Sequence, residues 1–501
     1  MNYIIGVDIG TTHTKAVVTS TTGEVLYEDK AHYPILQPSR GFSEQNPVQI
    51  FEAVLQVMNK VLTRITIKKD VIAVCFSAAM HGIMAINKYG VPLTNLYTWA
   101  DIRANKYARG LKDTEKGKLI YEETGTAIHP MSPLCKIAWI RQELPQVFIH
   151  TYKFISIKEY VFYRLFNCYI VDYSIASATG LFNNSTFKWN DESLVFAGIT
   201  ADHLSEPVPT NHREVLTNSI FTERFALNKE VPFIIGASDG CLAILGSGAM
   251  APNEAALTIG TSGAIRKLNS QPMNDKQGRL FAYVLEDKMF VCGGASNNGG
   301  IVLKWFAENI LSKTFSSDEA FSWFMQNAAT APLGSGGLIF LPYIYGERSP
   351  VWDADARGVF LGMNSTHTSC HFMRAILEGI SFSLYQILQA MEESGTGIDT
   401  IYASGGFIAS DFWLQLLSDI FNKKVIVSHA ADASAMGAIF LAMHTLGFIK
   451  DWEEIKSLVV TSAVFYPDNK SHLEYNKNFH VFSSLYKKLA PDFASLAEPF
   501  A

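Results

Sequence analysis

A polar turn follows the first apolar segment of the chain and carries groups that suit phosphate binding. The apolar segment ends in Asp8, and the turn then supplies Gly10, Thr11, Thr12, His13, Thr14 and Lys15. Glycine lets the backbone approach an anion closely, and hydroxyls, amides and an ammonium group add donors and positive charge. A carboxylate at the strand end could hold Mg²⁺, directly or through water. The pattern indicates nucleotide phosphate binding, with an ordinary N-terminal hairpin as the structural alternative.

A similar turn lies about half a chain further on. Gly260, Thr261 and Ser262 separate the apolar segments Ala255–Ile259 and Ala264–Leu268, much as the first turn separates two strands. Repetition of strand, glycine-hydroxyl turn and strand indicates a gene duplication. Two domains that face each other, each with one phosphate turn, would hold a single nucleotide in the cleft between them.

Two further glycine-rich turns connect a strand to a helix. Gly405 and Gly406 follow the predicted strand Thr400–Ser404, and the next helix, Phe412–Asn422, has Ser410 or Asp411 as its N-cap. Gly300 opens another helix after an Asn-Asn-Gly turn. Bare backbone at such a turn can contact a phosphate or a flat ring. A tight connection without a ligand explains each turn equally well.

A carboxylate follows the apolar strand near residue 235. Asp239 and Gly240 begin a helix rich in small residues. The positive end of a helix dipole keeps such a carboxylate ionised. An ionised Asp in a cleft can accept a hydroxyl proton during phosphoryl transfer and can face Mg²⁺. The structural alternative is a simple helix cap.

Polar and aromatic side chains after other strand ends suit a polyol. Met80 and His81 follow the predicted strand Val71–Ser77, and Trp99, Asp101 and Arg103 follow another apolar stretch. They offer hydrogen bonds for hydroxyls, a ring face for C–H groups and a cation for a carboxylate. Each alone is better explained by core packing or a surface ion pair, and together they favour a ligand site.

The elements that must position these residues begin with three predicted strands, Tyr3–Ile9, Thr14–Thr19 and Val25–Ala31. A helix follows, with Asn46 as its N-cap and an apolar face. With the strand after it, the βββαβ order predicts a mixed sheet that is covered by helices on both faces.

The composition excludes several classes of protein. The chain has 501 residues, a net charge of -6 and no long basic run, so nucleic acid and anionic membranes are poor partners. Its length predicts two large domains. Six scattered cysteines indicate neither a disulfide framework nor a zinc site. With no leader peptide or membrane span apparent, we expect a cytoplasmic protein, and a homodimer is left open.

These motifs together resemble the FGGY family of carbohydrate kinases, within the actin, hexokinase and heat-shock ATPase superfamily. Two further family patterns lie at Met131–Glu143 and at Gly362–Ile380. The resemblance implies an α/β fold of two actin/hexokinase-like (ribonuclease H-like) domains, each a mixed five-stranded sheet flanked by helices, with a catalytic cleft between them. The implied domains are residues 1–245, which bind the sugar, and residues 246–501, which bind adenosine.

The resemblance also implies roles for the residues above. Asp239 would be the catalytic base, and Asp8 would hold Mg²⁺ together with it. The residues that would contact ATP are the two turns, Gly10, Thr11, Thr12, His13, Thr14, Lys15, Gly260, Thr261 and Ser262, and, on the adenosine side, Gly300, Gly405, Gly406 and Ser410. The residues that would bind the sugar are Met80, His81, Trp99, Asp101, Asp239 and Gly240, with Arg103 near a carboxylate. His13 departs from the small polar residue that many relatives carry.

Within the family, the segments Ser77–His81, Thr98–Asp101 and Gly125–Met131 resemble the gluconate kinases. The resemblance therefore implies ATP-dependent phosphorylation of a sugar acid, D-gluconate, to 6-phosphogluconate. A kinase for another polyol, such as xylulose, is the nearer alternative. A non-enzymatic module that binds ATP and sugar is the remote one.

Overall fold

The computed structural model describes residues 2–273, 275–428 and 432–497. The strands of the first half are β1 (Tyr3–Ile9), β2 (His13–Ser20), β3 (Val25–His32), β4 (Glu44–Gln45), β5 (Val71–Ala78), β6 (Met84–Ile86), β7 (Leu96–Tyr97), β8 (Lys153–Ile155), β9 (Ile170–Asp172), β10 (Phe182–Asn183), β11 (Lys188–Trp189), β12 (Glu206–Val208), β13 (Arg213–Glu214) and β14 (Phe233–Ser238). Its helices are α1 (Pro47–Arg64), α2 (Asn105–Lys112), α3 (Glu115–Thr124), α4 (Pro133–Glu143), α5 (Pro145–His150), α6 (Ile157–Phe166), α7 (Tyr173–Ser177), α8 (Asp191–Ala197), α9 (Ser219–Phe225) and α10 (Asp239–Ser247).

The second half repeats this alternation of strands and helices. Its strands are β15 (Glu254–Ile259), β16 (Gly263–Asn269), β17 (Phe281–Glu286), β18 (Met289–Ser296), β19 (Ile339–Leu341), β20 (Val359–Leu361), β21 (Thr400–Ser404), β22 (Lys424–Ser428) and β23 (Thr461–Phe465). Its helices are α11 (Gly300–Asn309), α12 (Asp318–Thr330), α13 (Ser369–Ser394), α14 (Asp411–Phe421), α15 (Ala433–Thr445) and α16 (Asn469–Ala497).

The first large sheet has the strand order β13-β14-β5-β1-β2-β3. Strands β1, β5 and β14 are parallel, whereas β2 and β3 are antiparallel to their neighbours. The register pairs Asp8 with Lys15 on β2 and with Ser77 on β5. Since the carboxyl ends of parallel strands meet at one edge of a sheet, Asp8, His81 and Asp239 are brought to the same edge.

The second large sheet has the order β17-β18-β16-β15-β21-β22-β23. Strands β15, β21 and β22 are parallel, and β16 is antiparallel to both β15 and β18. This arrangement matches the first sheet. It places the turn at Gly260, between β15 and β16, beside Gly405, which follows β21.

The α/β class with two mixed sheets is confirmed, but the predicted count of five strands is wrong for both sheets. The sheets have six and seven strands. The extra strands lie at edges: the two-residue strand β13 pairs with β14, β17 pairs with β18, and β23 pairs with β22. Each satisfies backbone groups that an open edge would leave unpaired, and the family resemblance implied only the five-stranded core.

Two helices lie between the sheets. Buried residues of α10 and α15 share one hydrophobic cluster with both large sheets, so the layers run sheet, helix pair, sheet. Small residues allow this close packing: a Cβ on Gly246 would lie 2.0 Å from the Ala433 carbonyl, and one on Gly6 would lie 2.7 Å from that of Ala435. A helix from the second half of the chain therefore packs directly on β1.

Among the described residues, no helix is long and apolar enough to cross a membrane. The six cysteines are all free thiols.

Candidate active site

A cavity of about 350 Å³ lies between the two glycine-hydroxyl turns. Loops of the first half and the start of α10 form one side of its wall, and strands β16, β17 and β18 of the second large sheet form the other. The lining residues are Thr11, Thr12, Ile35, Met80, His81, Trp99, Met131, Asp239, Thr261, Ser262, Ala264, Arg266, Phe281, Tyr283, Ala295, Arg348 and Trp352. Its volume suits a small ligand. We call it the inner cavity.

Asp239 lies in the wall of the inner cavity, at the first position of α10. Ser238 is the N-cap of this helix, so the backbone turn aims the Asp239 carboxylate toward the cleft. The Gly240 N–H donates to Asp239 Oδ1 over 2.6 Å. Loss of water around the carboxylate raises its pKa, and the Arg266 guanidinium opposes that rise. A carboxylate of this kind can accept a proton from a bound hydroxyl.

Asp8 lies beside this carboxylate, at the carboxyl end of β1. It is 9% exposed, and the Ser77 hydroxyl donates to it over 2.5 Å. Burial and then the nearby charges of Asp432 and Asp239 raise its pKa to about 8. The sequence analysis did not assign chemistry to Asp432, whose only local signal is its position before a helix of small residues.

The carboxylates near Asp8 suit a divalent cation, because a cation removes the repulsion that raises the pKa of Asp8. Within the described residues, no three His, Cys, Asp or Glu side chains form a complete metal cluster. Mg²⁺ at nucleotide sites generally takes one or two carboxylates and completes its shell with waters and phosphates. The donor set of Asp8 and Asp239 is chemically suited to that arrangement.

Only some of the residues of the first turn that were predicted to contact ATP line the inner cavity. Thr11 and Thr12 line it, whereas the Thr14 hydroxyl points inward to Tyr33 at 3.2 Å. Lys15 forms ion pairs with Glu28 at 2.9 Å and with Asp432 at 3.8 Å. The other turn residues shape the backbone: Gly10 N–H donates to the His13 carbonyl over 3.0 Å, and the His13 ring bonds the Thr12 hydroxyl.

The second turn lies between the inner cavity and a larger one. Thr261 and Ser262 face the inner cavity, whereas Gly260 and Gly300 line the larger cavity. Gly300 N–H donates to the Gly260 carbonyl over 2.7 Å, which fixes α11 to the turn. A phosphate chain could therefore pass from one cavity to the other along this turn.

The larger cavity, of about 840 Å³, is formed by the second half of the chain, and we call it the outer cavity. Gly406 and Ser410 line it on one side, and α12, which the sequence analysis missed, lines the other. Gly405 does not line it. Its φ is 104°, and a Cβ there would lie 2.6 Å from the Ile259 carbonyl, so only glycine fits this turn.

His81 is neutral in the wall of the inner cavity. Its Nδ1 donates to the Ala178 carbonyl over 2.7 Å, so Nε2 is the acceptor nitrogen, 3.4 Å from the Tyr283 hydroxyl. Burial lowers the pKa of His81 to about 3. Met80 lines the cavity beside it, and a Cβ on Gly240 would lie 2.6 Å from the Met80 methyl group. Gly240 therefore provides space and does not itself line the cavity.

Trp99 connects the wall of the inner cavity to the first turn. Its indole N–H donates to the Thr11 hydroxyl over 3.0 Å. The Arg348 guanidinium lies 4.8 Å from the centre of its ring. The ring face therefore supports a cation to which the sequence alone assigned no role.

Asp101 and Arg103 lie behind the inner cavity and do not line it. Arg103 holds the Asp101 carboxylate with two hydrogen bonds of 2.8 Å, and the Ser43 N–H donates to it over 2.7 Å. The Arg103 guanidinium also packs 3.8 Å from the Tyr97 ring. For these two residues the geometry favours support of the Trp99 loop over the predicted direct contact with substrate.

The segment from Glu347 to Trp352 is the main part of the site without a predicted role. Glu347 is fully buried, and its carboxylate accepts from the Ser296 hydroxyl (2.7 Å) and from the N–H groups of Asn297 (2.9 Å) and Arg348 (2.7 Å). These bonds fix the loop that carries Arg348 and Trp352. Polar residues after an apolar stretch were the only sequence signal.

Two domains of the same topology, a carboxylate at the cleft and two phosphate-type turns define a phosphotransferase of the two-domain α/β class. The sequence matches the N-terminal domain of the FGGY family of carbohydrate kinases over residues 3–246 and the C-terminal domain over residues 255–446. The chain belongs to this family of carbohydrate kinases.

Named relatives extend the comparison to almost the whole chain. A gluconokinase of Bacillus subtilis (strain 168) is 39% identical over 99% of this chain and 98% of its own. Crystal structures of a gluconate kinase and a ligand-bound xylulose kinase, both from Lactobacillus acidophilus, each superpose with a TM-score of 0.93. Both cover 99% of this chain and 100% of their own, at 34% and 33% identity respectively.

Proposed function

We propose that the protein transfers the terminal phosphoryl group of ATP to D-gluconate and forms 6-phospho-D-gluconate and ADP. The observation that carries this proposal is Asp239 in the wall of a cavity that is also lined by both glycine-hydroxyl turns. The base, the acceptor hydroxyl and the phosphate chain can meet there. Because the family consists of carbohydrate kinases, ATP is the expected phosphoryl donor.

In this proposal the nucleoside occupies the outer cavity, and the phosphates follow the second turn into the inner cavity. The hydroxyls of Thr11 and Thr12 meet them from the first domain. Asp239 accepts the proton of the gluconate hydroxyl. The hydroxyl oxygen bonds to the terminal phosphorus of ATP as the bond between that phosphorus and the ADP oxygen breaks. Closure of the cleft would exclude water, which would otherwise compete as the acceptor.

Mg²⁺ is part of the proposal. Asp8 and Asp239 would hold it, and when bound it would neutralise charge on the phosphates. The chain supplies donors of its own at the second turn, where the hydroxyls of Thr261 and Ser262 line the inner cavity.

The choice of gluconate over xylulose rests on two supports. The 39% identical relative is a gluconokinase. The charged side chains of the inner cavity are one carboxylate and two guanidinium groups, which suits an anionic acceptor. A xylulose kinase remains the second candidate, because the Lactobacillus xylulose kinase structure is as similar in fold as the gluconate kinase structure.

We infer a domain boundary near residue 245, with adenosine bound by residues 246–501 and the sugar bound by residues 1–245 together with residues of the second part that line the inner cavity. Every residue that lines the outer cavity belongs to the second part. We also propose a cytoplasmic location, since six free thiols suit a reducing compartment. The molar mass of the purified protein, measured by light scattering, would test whether it is a homodimer.

Asp239→Asn tests the catalytic role. Loss of a general base lowers kcat by about 10²–10⁴-fold, while binding of gluconate and ATP should persist because the amide has the same shape. Asp411→Asn is a matched control, since Asp411 is also the first residue of a helix after a serine N-cap but is exposed. Near-normal turnover by Asp239→Asn would contradict the role.

The acceptor is tested by ADP release from ATP in the presence of gluconate, xylulose, ribulose or glycerol. We expect gluconate to give the highest kcat/KM. A higher value for xylulose would reverse the choice of substrate. Binding of ATP and sugar with no phosphoryl transfer to any acceptor would favour a non-enzymatic module.

A further inference from the structure

Two arginines face the inner cavity, and neither has all its donors used. The Nε atoms of Arg266 and Arg348 are both buried and have no hydrogen-bond partner among the described residues. The one other charged residue in the cavity wall is Asp239, and His81 is neutral. The described wall thus carries two positive charges and one negative charge. Two guanidinium groups with unused buried donors, beside a single carboxylate in the cavity wall, indicate an anionic ligand.

The two arginines differ in what they face. A Cβ on Gly240 would lie 3.3 Å from both Nε and Nη2 of Arg266, so this guanidinium lies against the residue that follows Asp239. Arg266 is also the strongest of the charges that lower the pKa of Asp239. Arg266 therefore belongs to the reacting end of the cavity, where the acceptor hydroxyl must lie.

Arg348 is held in a different way. Its Nη2 donates to the Ser296 carbonyl over 3.0 Å, and its plane lies over the Trp99 ring. The Glu347 carboxylate accepts from the backbone N–H of Arg348 and forms no hydrogen bond with its guanidinium, so the loop is fixed while the Nε donor stays unused. A guanidinium fixed in this way presents its remaining donors in the geometry that suits a carboxylate.

We propose that Arg348 binds the carboxylate of the sugar acid and so determines the preference for an acid over a neutral polyol. The inference rests on the proposed function and adds the residue that recognises the acid. A neutral polyol would leave the guanidinium without an anionic partner. The carboxylate and the acceptor hydroxyl lie at opposite ends of the six-carbon chain of gluconate. Arg348 therefore contributes to substrate binding, whereas Arg266 acts beside the catalytic base Asp239.

The test compares gluconate with D-glucitol, which has the same chain length and a hydroxymethyl group in place of the carboxylate. For wild type, Arg348→Met, Arg348→Lys and Arg266→Met, kcat and KM are measured with gluconate, and D-glucitol is measured both as acceptor and as competitive inhibitor. Thermal unfolding and ADP affinity report whether each variant is folded.

We expect Arg348→Met to raise KM for gluconate by about 100-fold, as loss of a charged bidentate contact does, with a much smaller change in kcat. In the same variant, the inhibition constant of D-glucitol should change by a factor at least ten times smaller than the change in KM for gluconate. Arg348→Lys should recover part of the affinity. Arg266→Met should instead lower kcat and leave the preference for gluconate in place.

Two results would overturn the assignment. One is an Arg348→Met variant whose preference for gluconate over D-glucitol equals that of wild type. The other is loss of that preference in Arg266→Met alone, which would place the carboxylate at Arg266. If wild type prefers xylulose to gluconate, the proposed function itself fails, and the wild-type measurement shows this before any variant is made.

Discussion

Lys136 connects three separate segments of the inner cavity wall. Its ammonium, fully buried on α4, donates to the carbonyls of His81 (3.0 Å), Thr98 (2.6 Å) and Met131 (2.7 Å). His81 and Met131 line the cavity, and Thr98 precedes Trp99. We therefore expect Lys136→Met to disturb substrate binding although Lys136 does not itself line the cavity.

Two opposing contributions determine the effect of Lys136→Met on stability. Each of the three buried carbonyls loses its donor, at a cost of about 1–3 kcal/mol. Burial also lowers the pKa of Lys136 from 10.5 to about 7, and removing this unfavourable charge returns about 5 kcal/mol. The three lost donors together cost about 3–9 kcal/mol, so the free energy of unfolding should change by between a gain of about 2 kcal/mol and a loss of about 4 kcal/mol, which leaves a folded enzyme.

The larger effect should be on catalysis. Without the shared donor the three segments can shift independently, and a displacement near 1 Å at an active site costs about 100-fold in rate. We expect kcat/KM for gluconate to fall by about 10–100-fold. Initial-rate kinetics and denaturant unfolding measure both effects in one preparation.

Lys153→Met is the matched control. Lys153 also donates to two backbone carbonyls, those of Asp202 and Leu204, but it lines neither cavity. Its substitution should leave KM for gluconate within about twofold of wild type. An unchanged KM and kcat in a folded Lys136→Met variant would refute the argument that this lysine positions the cavity wall.

Two further predictions concern His81 and Gly406. Because the pKa of His81 is about 3 in the folded protein and 6.5 in the unfolded chain, the unfolded state binds more protons between these values, and stability falls as pH falls. From pH 6.5 to pH 5 wild type should lose about 2 kcal/mol more than His81→Asn in denaturant titrations, and equal losses would contradict this. Asn also tolerates the positive φ of 64° at this position. Gly406→Val should raise KM for ATP about tenfold or more, since no atom lies within 4 Å of the new Cβ and the side chain would enter the outer cavity. Gly397→Val, also in open space, should leave KM for ATP unchanged, and equal nucleotide affinity in both variants would remove Gly406 from the site.

Local patterns in the sequence predicted the elements well, because they depend on neighbouring residues. The apolar run Tyr3–Ile9 is a strand with the predicted ends, and Asn46 caps α1 through its side chain. Ser410, one of two proposed caps, is the N-cap of α14. The alternation of these elements also predicted two mixed sheets, which in turn places Asp8 and Asp239 at one edge.

The sequence by itself therefore determined the class of fold, the two phosphate-type turns and the carboxylate between them. Only the tertiary structure decided which side chains face the cavities. It turned Asp101 inward onto Arg103, and it brought Arg348 over Trp99, a residue far away along the chain. The physical reason is that a strand or helix follows from local periodicity and capping, whereas a contact between distant segments depends on how whole sheets and loops pack.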